Sequence, residues 1–495
     1  MNWSEFAPLL TMTVLVPWLL GMVFGIFVGA MPGLTATMAV ALIIPISFHL
    51  PAEAGLAMII GVSFTAIFAG DIPATLLRIP GTPASAAATL DGHALAKQGK
   101  ADHALRLDLI CSALGGLVGM LLLITLAPQL ARFALTFSHY EYFWLAMVGL
   151  AVSAMVSVGS TFKGVLAAVL GMLIATIGRD LVSGTPRYAF GSQQLESGIA
   201  FIPAMIGLFG LSEVLRAAGS PVQATVAAVV EQRTSWAITW LTVWRHKWTA
   251  LKSALAGTFI GALPGAGADI AAWAAYGLAK KTSRTPGAFG QGCEEGVVAP
   301  TSANNAAVGG AWIPALVFGI PGDAVTAIVL GALIMYDLTP GPLIFQQKPA
   351  EMHALFAIGI ITQFLLLPAG WLGIKLFRRL TQFPRPYIHT GVVVFSVVGA
   401  YALRNNLFDV WVMLAFGVLG WFLERQKVPL APLILGMILC PMIEQNLRNG
   451  LIKSSGSLLP FFNRPICLGI LLLLVLAVVV PWLARRRLPT GAPAG

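Results

Sequence analysis

Long apolar stretches separated by short polar ones run the length of the chain. Leu107 to Ala127 carries one charge, Asp108; Ala354 to Phe377 carries one, Lys375; the run "CLGILLLLVLAVVVPWLA" near the C-terminus carries none. Each approaches the ~20 residues that cross hydrocarbon as a helix. About a dozen such segments predict an all-α integral membrane fold of roughly 12 spans. The start, "MNWSEFAPLLTMTVLVPWLLG", lacks a basic n-region and a small-residue cleavage site, and reads as a first span rather than a removed signal peptide.

Several of these apolar runs are broken in matched places. "GIFVGAMPG" from Gly25 returns as "GTFIGALPG" from Gly257, an offset of 232 residues (257 − 25), with six of nine positions identical. "RIPGTPASAAA" from Arg78 and "GIPGDAVTAIV" from Gly319 share Ile-Pro-Gly at an offset of 241 (320 − 79). Two related repeats are therefore expected, inverted with respect to one another. The first covers residues 1–240 and the second 241–465, each with scaffold spans, followed by a C-terminal span and cytoplasmic tail over 466–495.

Proline removes a backbone donor and clashes with the preceding turn, so Pro-Gly inside an apolar run opens the helix. Each backbone group freed at membrane depth costs several kcal/mol unless protein or a wet cavity satisfies it. Paired interruptions in two halves point to a transporter binding site near the midplane, built from re-entrant or broken hairpins. Helices that restart after the break direct free N–H groups and a positive dipole end inward, which suits a carboxylate. The glycines at 21, 25 and 29, and at 257 and 261, form faces that let helix backbones approach closely.

Composition fits this picture. Of 495 residues, 57% are hydrophobic and only 10% charged, against about 25% charged in a soluble domain. The net charge of +10 is spread over short loops, so it reflects topology and not nucleic-acid binding. Counting spans back from the C-terminus places "ARRR" (484–487), "ERQK" (424–427) and "FRRLTQFPR" (377–385) on one side, expected to be cytoplasmic; the loop of Arg448, Lys453 and Arg464 departs from that pattern. Four scattered cysteines lack metal-ligand spacing and read as buried fillers. Nothing marks nucleotide use or hydrolysis, so no cofactor is expected and the energy source is an ion gradient or something outside this chain.

Ionisable side chains in apolar stretches are usually functional, and here they gather at the breaks. Arg78 offers a planar fork for a substrate carboxylate, or a salt bridge to Asp71 seven residues earlier. Asp71, Asp269 and Asp323 are candidates for coupling Na⁺ or H⁺; Asp269 and Asp323 could equally be helix caps. Ser302, Asn304 and Asn305 form a polar knot that either holds a break or reads solute. Asp108 and Asp180 read as solvated or snorkelled span ends, and the seven histidines as loop residues.

Four segments carry a family resemblance: "GAMPGLTATMAVALIIPISF", "RIPGTPASAAATLDGHALAKQGKADHAL", "GALPGAGADIAAWAAYGLAKK" and "GVVAPTSANNAAVGGAWIPALVFGIPGDAVTAIVLGALIMYDLTPGPLIF". In that order they closely resemble the large membrane subunit of tripartite tricarboxylate transporters, the TctA type. The family's motif positions fall on Pro32, Gly33, Thr35, Ile79, Pro80, Gly81, Thr82 and Pro83. In the second half they fall on Pro264, Gly265, Gly267, Ser302, Asn304, Asn305, Pro321, Gly322 and Asp323. Together with Arg78, all of these except Ile79, Pro83 and Asp323 are read as substrate-binding from the physics of the breaks.

The resemblance implies a gradient-driven carboxylate importer of the bacterial inner membrane. It also implies two partners, a small four-span membrane subunit and a periplasmic solute-binding protein. An elevator-like movement of the paired hairpins would give alternating access. A passive anion channel would also need polar breaks, and a membrane-embedded enzyme would need clustered catalytic groups.

Overall fold

The Pro-Gly breaks fall between helices, and those helices define the molecule. The computed structural model describes residues 7–31, 33–156, 160–218, 234–380 and 385–475. Pro32 lies outside the described residues, as do the "ARRR" segment and most of the expected C-terminal span and tail. In chain order the first half contains α1 (Met12–Gly29), α2 (Ala36–Ser47), α3 (Ala52–Ala69), α4 (Asp71–Leu77), α5 (Ala88–Lys97) and α6 (Ala101–Ala134). There follow α7 (His139–Val156), α8 (Thr161–Ala175), a two-stranded hairpin of β1 (Gly178–Arg179) and β2 (Pro186–Arg187), and α9 (Gln193–Glu196). Next come α10 (Phe201–Met205), a π-turn over Ile206–Leu211, α11 (Ser212–Ala218) and α12 (Trp236–Arg245). The second half contains α13 (Lys247–Gly261), α14 (Gly267–Thr282), α15 (Glu294–Phe318), α16 (Ala324–Met335), α17 (Ile344–Gln347) and α18 (Pro349–Leu380). The described chain closes with α19 (Arg385–Ala402), α20 (Leu407–Arg425), α21 (Leu430–Lys453), α22 (Leu459–Asn463) and a helix over Pro465–Val475.

Six helical segments among the described residues are long and apolar enough to cross a membrane: Met12–Gly29, Ala52–Leu77, Ala101–Ala134, Pro349–Phe377, Leu407–Arg425 and Leu430–Lys453. The arms α2 and α16 are apolar but only 12 residues each. At 1.5 Å per residue such an arm reaches ~18 Å, about half of a ~30 Å hydrocarbon core.

Two units can be distinguished, residues 1–134 with 200–426 and residues 135–199 with 427–495. The first holds all four interrupted segments, and its packing repeats at the two sequence offsets. Helix α1 lies along α3 as α13 lies along α15. A Cβ added at Gly25 would sit 3.0 Å from Val62 Cα, and one at Gly257 would sit 2.7 Å from Ala303 Cα. Gly29 meets Ala66 as Gly261 meets Ala307, with corresponding distances of 2.9 and 2.7 Å. Gly81 abuts the Gly29 carbonyl and Gly70, while Gly322 abuts the Gly261 carbonyl and Ala311. On the α1/α13 side these pairs are related by 232, and on the α3/α15 side by 241. The two halves are thus alike in backbone contact as well as in sequence. They also interlock: α6 packs on α15 and α18 on α3, and α2 meets α16 while α14 meets the turn at Pro83–Ser85.

In the second unit α21 packs against α7 and α8. Gly171 faces Leu433 and Gly436 faces Ala168, both at backbone contact. Tyr140 stacks edge-on to Phe461 at 4.8 Å. Asp180 is not a solvated span end: it is buried and accepts from Arg448 Nη1 at 2.6 Å, while Arg187 forks onto Glu444 at 2.7 and 3.0 Å. The backbone N–H groups of Ser183 and Val182, with Arg448, hold its carboxyl well below the usual carboxylate range. Arg448 and Arg464, which depart from the expected charge pattern, are both ion-paired, to Asp180 and Glu141.

Candidate functional site

Each interrupted segment ends in a turn that its own residues dictate. Gly33 and Gly265 adopt φ of 95° and 81°, a left-handed region open to glycine but strained for other residues. The Gly265 N–H donates to the Gly322 carbonyl at 2.8 Å, tying the two turns of the second half together. In the first half the Gly81 N–H donates instead to Gly70 at 3.0 Å. The turn at Gly33 looks onto Glu213 Oε1, 3.9 Å from where a Cβ would lie; that carboxylate is bonded to Arg216.

The restarting helices are capped. Thr35 Oγ1 accepts from Met38 N–H at 3.2 Å at the start of α2, and Gly267 opens α14. Asp323 and Thr326 form a reciprocal capping box on α16, with Thr326 N–H donating to Asp323 Oδ1 at 2.8 Å. The positions 241 earlier, Thr82 and Ser85, bond through their hydroxyls at 2.9 Å. Arg78 ends α4 at φ 58°, where the second half has Gly319 at φ 70° ending α15. Arg78 is exposed, and among the described residues it makes no ion pair with Asp71. Asp323→Ala removes the cap and is expected to lower stability by about 1 kcal/mol in thermal unfolding of the purified protein, with Asp323→Asn retaining most of it.

Behind the turns lies a second, fully buried polar group. Asp71 begins α4, beside Gly70, whose Cα packs against the Thr82 and Ser85 hydroxyls. Asn304 Nδ2 donates to Asp71 Oδ2 at 3.0 Å, and Asn305 Nδ2 to the Ser112 carbonyl at 3.3 Å. Ser112 Oγ donates to Asp108 Oδ1 at 3.3 Å, and α6, which carries Asp108, packs on α4, which carries Asp71. Small residues make this meeting possible: Gly115 on α6 touches the Ser302 backbone on α15. Asp71, Asn304 and Asn305 are 0% exposed, and Asp108 and Ser302 1%.

The sequence-predicted residues therefore separate into two sets. Gly33, Thr35, Arg78, Pro80, Pro264, Gly265, Asp269 and Asp323 retain surface at the turns, with Gly81, Thr82, Gly267, Pro321 and Gly322 buried immediately beneath them. Asp71, Ser302, Asn304 and Asn305 lie inside. Asp108, read from the sequence as a span end, belongs to the inner set; its apolar neighbours Leu107, Leu109 and Ile110 are the signal that it is not solvated. His103 is likewise buried rather than a solvated loop residue, with Nε2 3.1 Å from Glu294 Oε1. Asp91 is structural: it accepts from Tyr276 Oη at 2.8 Å and from the N–H groups of Gly290, Gly292 and Cys293 at 2.8–2.9 Å.

No solved structure shows significant similarity to the chain. An uncharacterized 52.8 kDa protein in the TAR-I ttuC' 3' region of Agrobacterium vitis is 34% identical over 482 residues, which is 97% of this chain and 96% of that protein. An uncharacterized protein in the TAR-II ttuC' 3' region of the same organism is 36% identical over 231 residues, 46% of this chain and 96% of its own length. The family model described as "Tripartite tricarboxylate transporter TctA family" matches residues 15–435. With its apolar helices and duplicated Pro-Gly turns, this multi-pass membrane protein belongs to the tripartite tricarboxylate transporter TctA family.

Proposed function

We propose that the chain is the large permease subunit of a binding-protein-dependent importer that uses an ion gradient to carry organic carboxylates across a bacterial inner membrane. A small four-span subunit and a periplasmic solute-binding protein are its partners, and its C-terminus is cytoplasmic. The observation that supports this most is the matched construction of the two halves: four helix-breaking turns in one unit, at constant offsets, with Arg78 exposed at one of them. A carboxylate held at that turn would meet backbone N–H groups and the Arg78 guanidinium. The halves act as inverted repeats, and an elevator-like shift of the paired hairpins alternates access.

The test is uptake of radiolabelled di- and tricarboxylates into liposomes holding this chain with both partners, under imposed Na⁺ and H⁺ gradients separately. Accumulation about tenfold above the external concentration, abolished by collapsing the gradient, is expected. Uptake that only equilibrates, whatever the gradient, identifies a channel and overturns the importer reading.

A further inference from the structure

We propose that α12 lies in the membrane surface as an amphipathic anchor, and that Arg245, Lys247 and Lys252, at its junction with α13, bind the headgroups of anionic phospholipids in the cytoplasmic leaflet. This goes beyond carboxylate import and does not depend on it.

The polarity of α12 is reversed for a helix that faces water. Towards α6 it turns Thr239 and Val243, 0% and 5% exposed: Thr239 Oγ1 lies 3.4 Å from His103 Nδ1, and Val243 shares a core with Ala104 and Leu107. Outward it turns Ile238, Trp240, Leu241 and Trp244, 47–68% exposed, and Trp248 at the start of α13 is 64% exposed. Tryptophans therefore recur every four residues from Trp236 to Trp248, a spacing that lines up along a helix. An outward stripe of this kind belongs at headgroup level, where the ring body meets acyl chain and its N–H stays wet.

The junction with α13 fixes the depth. A straight helix from Trp236 to Gly261 would carry Arg245, His246 and Lys247 into hydrocarbon, where charge is costly. The chain instead leaves helical geometry at His246, with φ −100° and ψ 19°. The foot of α13 is tied to α15: His246 Nε2 is 3.8 Å from Glu294 Oε2, and Thr249 Oγ1 donates to Glu295 Oε1 at 2.6 Å. At ten residues, ~15 Å, α12 is too short to span and long enough to lie in the surface.

Charge names the occupant. The acids at this end are already engaged: Asp102 by Arg106 and the Thr234 N–H, Glu294 by His103, and Glu295 by Thr249 and Ser283. Arg245, Lys247 and Lys252 are exposed and form no ion pair among the described residues, with Lys247 Nζ 4.0 Å from the centre of the Trp244 ring. Lys280, Lys281 and Arg284 stand at the same end, since Ser283 beside them shares Glu295 with Thr249. So basic an end is cytoplasmic by the positive-inside rule, and the leaflet there carries the anionic lipids. Their phosphates accept from guanidinium and ammonium groups. A protein partner fits less well, because lysine is depleted from protein interfaces.

The test reconstitutes the purified full-length chain in phosphatidylcholine liposomes doped with photoactivatable phosphatidylglycerol or photoactivatable phosphatidylcholine, and maps the labelled peptides by mass. Labelling of residues 236–252 should be at least about fivefold stronger with phosphatidylglycerol, the factor that one Lys or Arg contributes at an anionic surface. The triple variant Arg245→Gln, Lys247→Gln, Lys252→Gln should bring that ratio to about one with an unchanged unfolding temperature. Lys453→Gln, an exposed basic residue of the other unit, should leave the ratio as in wild type. Should the triple variant fail to fold, the wild type still decides: raising the salt to about 1 M should collapse its preference. Equal labelling by the two lipids overturns the headgroup site. Absence of label over 236–252, while the long spans are labelled, overturns the anchor as well and places protein over α12.

Discussion

Gly261→Leu is expected to remove nearly all folded protein. The Gly261 Cα lies against the Ala307 backbone of α15 so closely that even a Cβ would sit 2.7 Å from Ala307 Cα. The obstacle is main chain, which no rotamer change relieves. Helices α13 and α15 would have to separate, taking with them the Gly322 turn that rests on the Gly261 carbonyl. Overpacking of a rigid contact costs roughly 3 kcal/mol or more, a large part of the 5–15 kcal/mol that usually holds a domain together. Gly29→Leu should fail similarly, because Gly29 meets Ala66 in the same way. Gly277→Leu on α14 is the control: nothing lies within 4 Å of its Cβ position, and leucine is the better helix former. The measurement is the monodisperse yield after detergent extraction together with the unfolding temperature. A Gly261→Leu protein that extracts and melts like wild type would disprove the close-packed interface.

That contact is legible in the amino-acid sequence, because the fourfold glycine spacing and the Pro-Gly turns are local signals. Each is set by a residue that lacks a side chain or a donor, so three-dimensional context cannot easily override it. Which backbones meet is read from the structure: Gly25 lies against Val62, and the two offsets carry that contact to Gly257 against Ala303.

Burial is less readable. Asp108 sits at the edge of an apolar run, yet α6 extends from Ala101 to Ala134, 34 residues or ~51 Å, so the start of the run is not the end of the helix. What covers Asp108 comes from α15, some 190 residues later, and no local pattern reports it. His103 is hidden for the same reason, its partner being Glu294. The alternative reading of Arg78 as a partner of Asp71 presupposes a continuous helix; α4 stops at Leu77 and Arg78 turns left-handed, which ends the regular spacing between them.

Arg78→Gly separates the backbone role of that position from its charge. The position 241 residues later, Gly319, occupies the same left-handed helix end with φ 70° against 58° for Arg78. A side chain in that region costs about 1 kcal/mol that glycine does not. Since Arg78 is exposed and forms no ion pair among the described residues, glycine removes strain without breaking a bond. The variant should therefore unfold at the same temperature as wild type or slightly higher. If the guanidinium grips the solute carboxylate, the loss of a charge-assisted bond of roughly 1.5–3 kcal/mol should raise the KM for uptake about 10- to 100-fold. Arg78→Lys keeps the charge but not the fork, and should fall between the two. A residue that served only to end α4 would give the same stable protein but an unchanged KM, and that outcome would move the anion site away from Arg78 to the Gly265 turn.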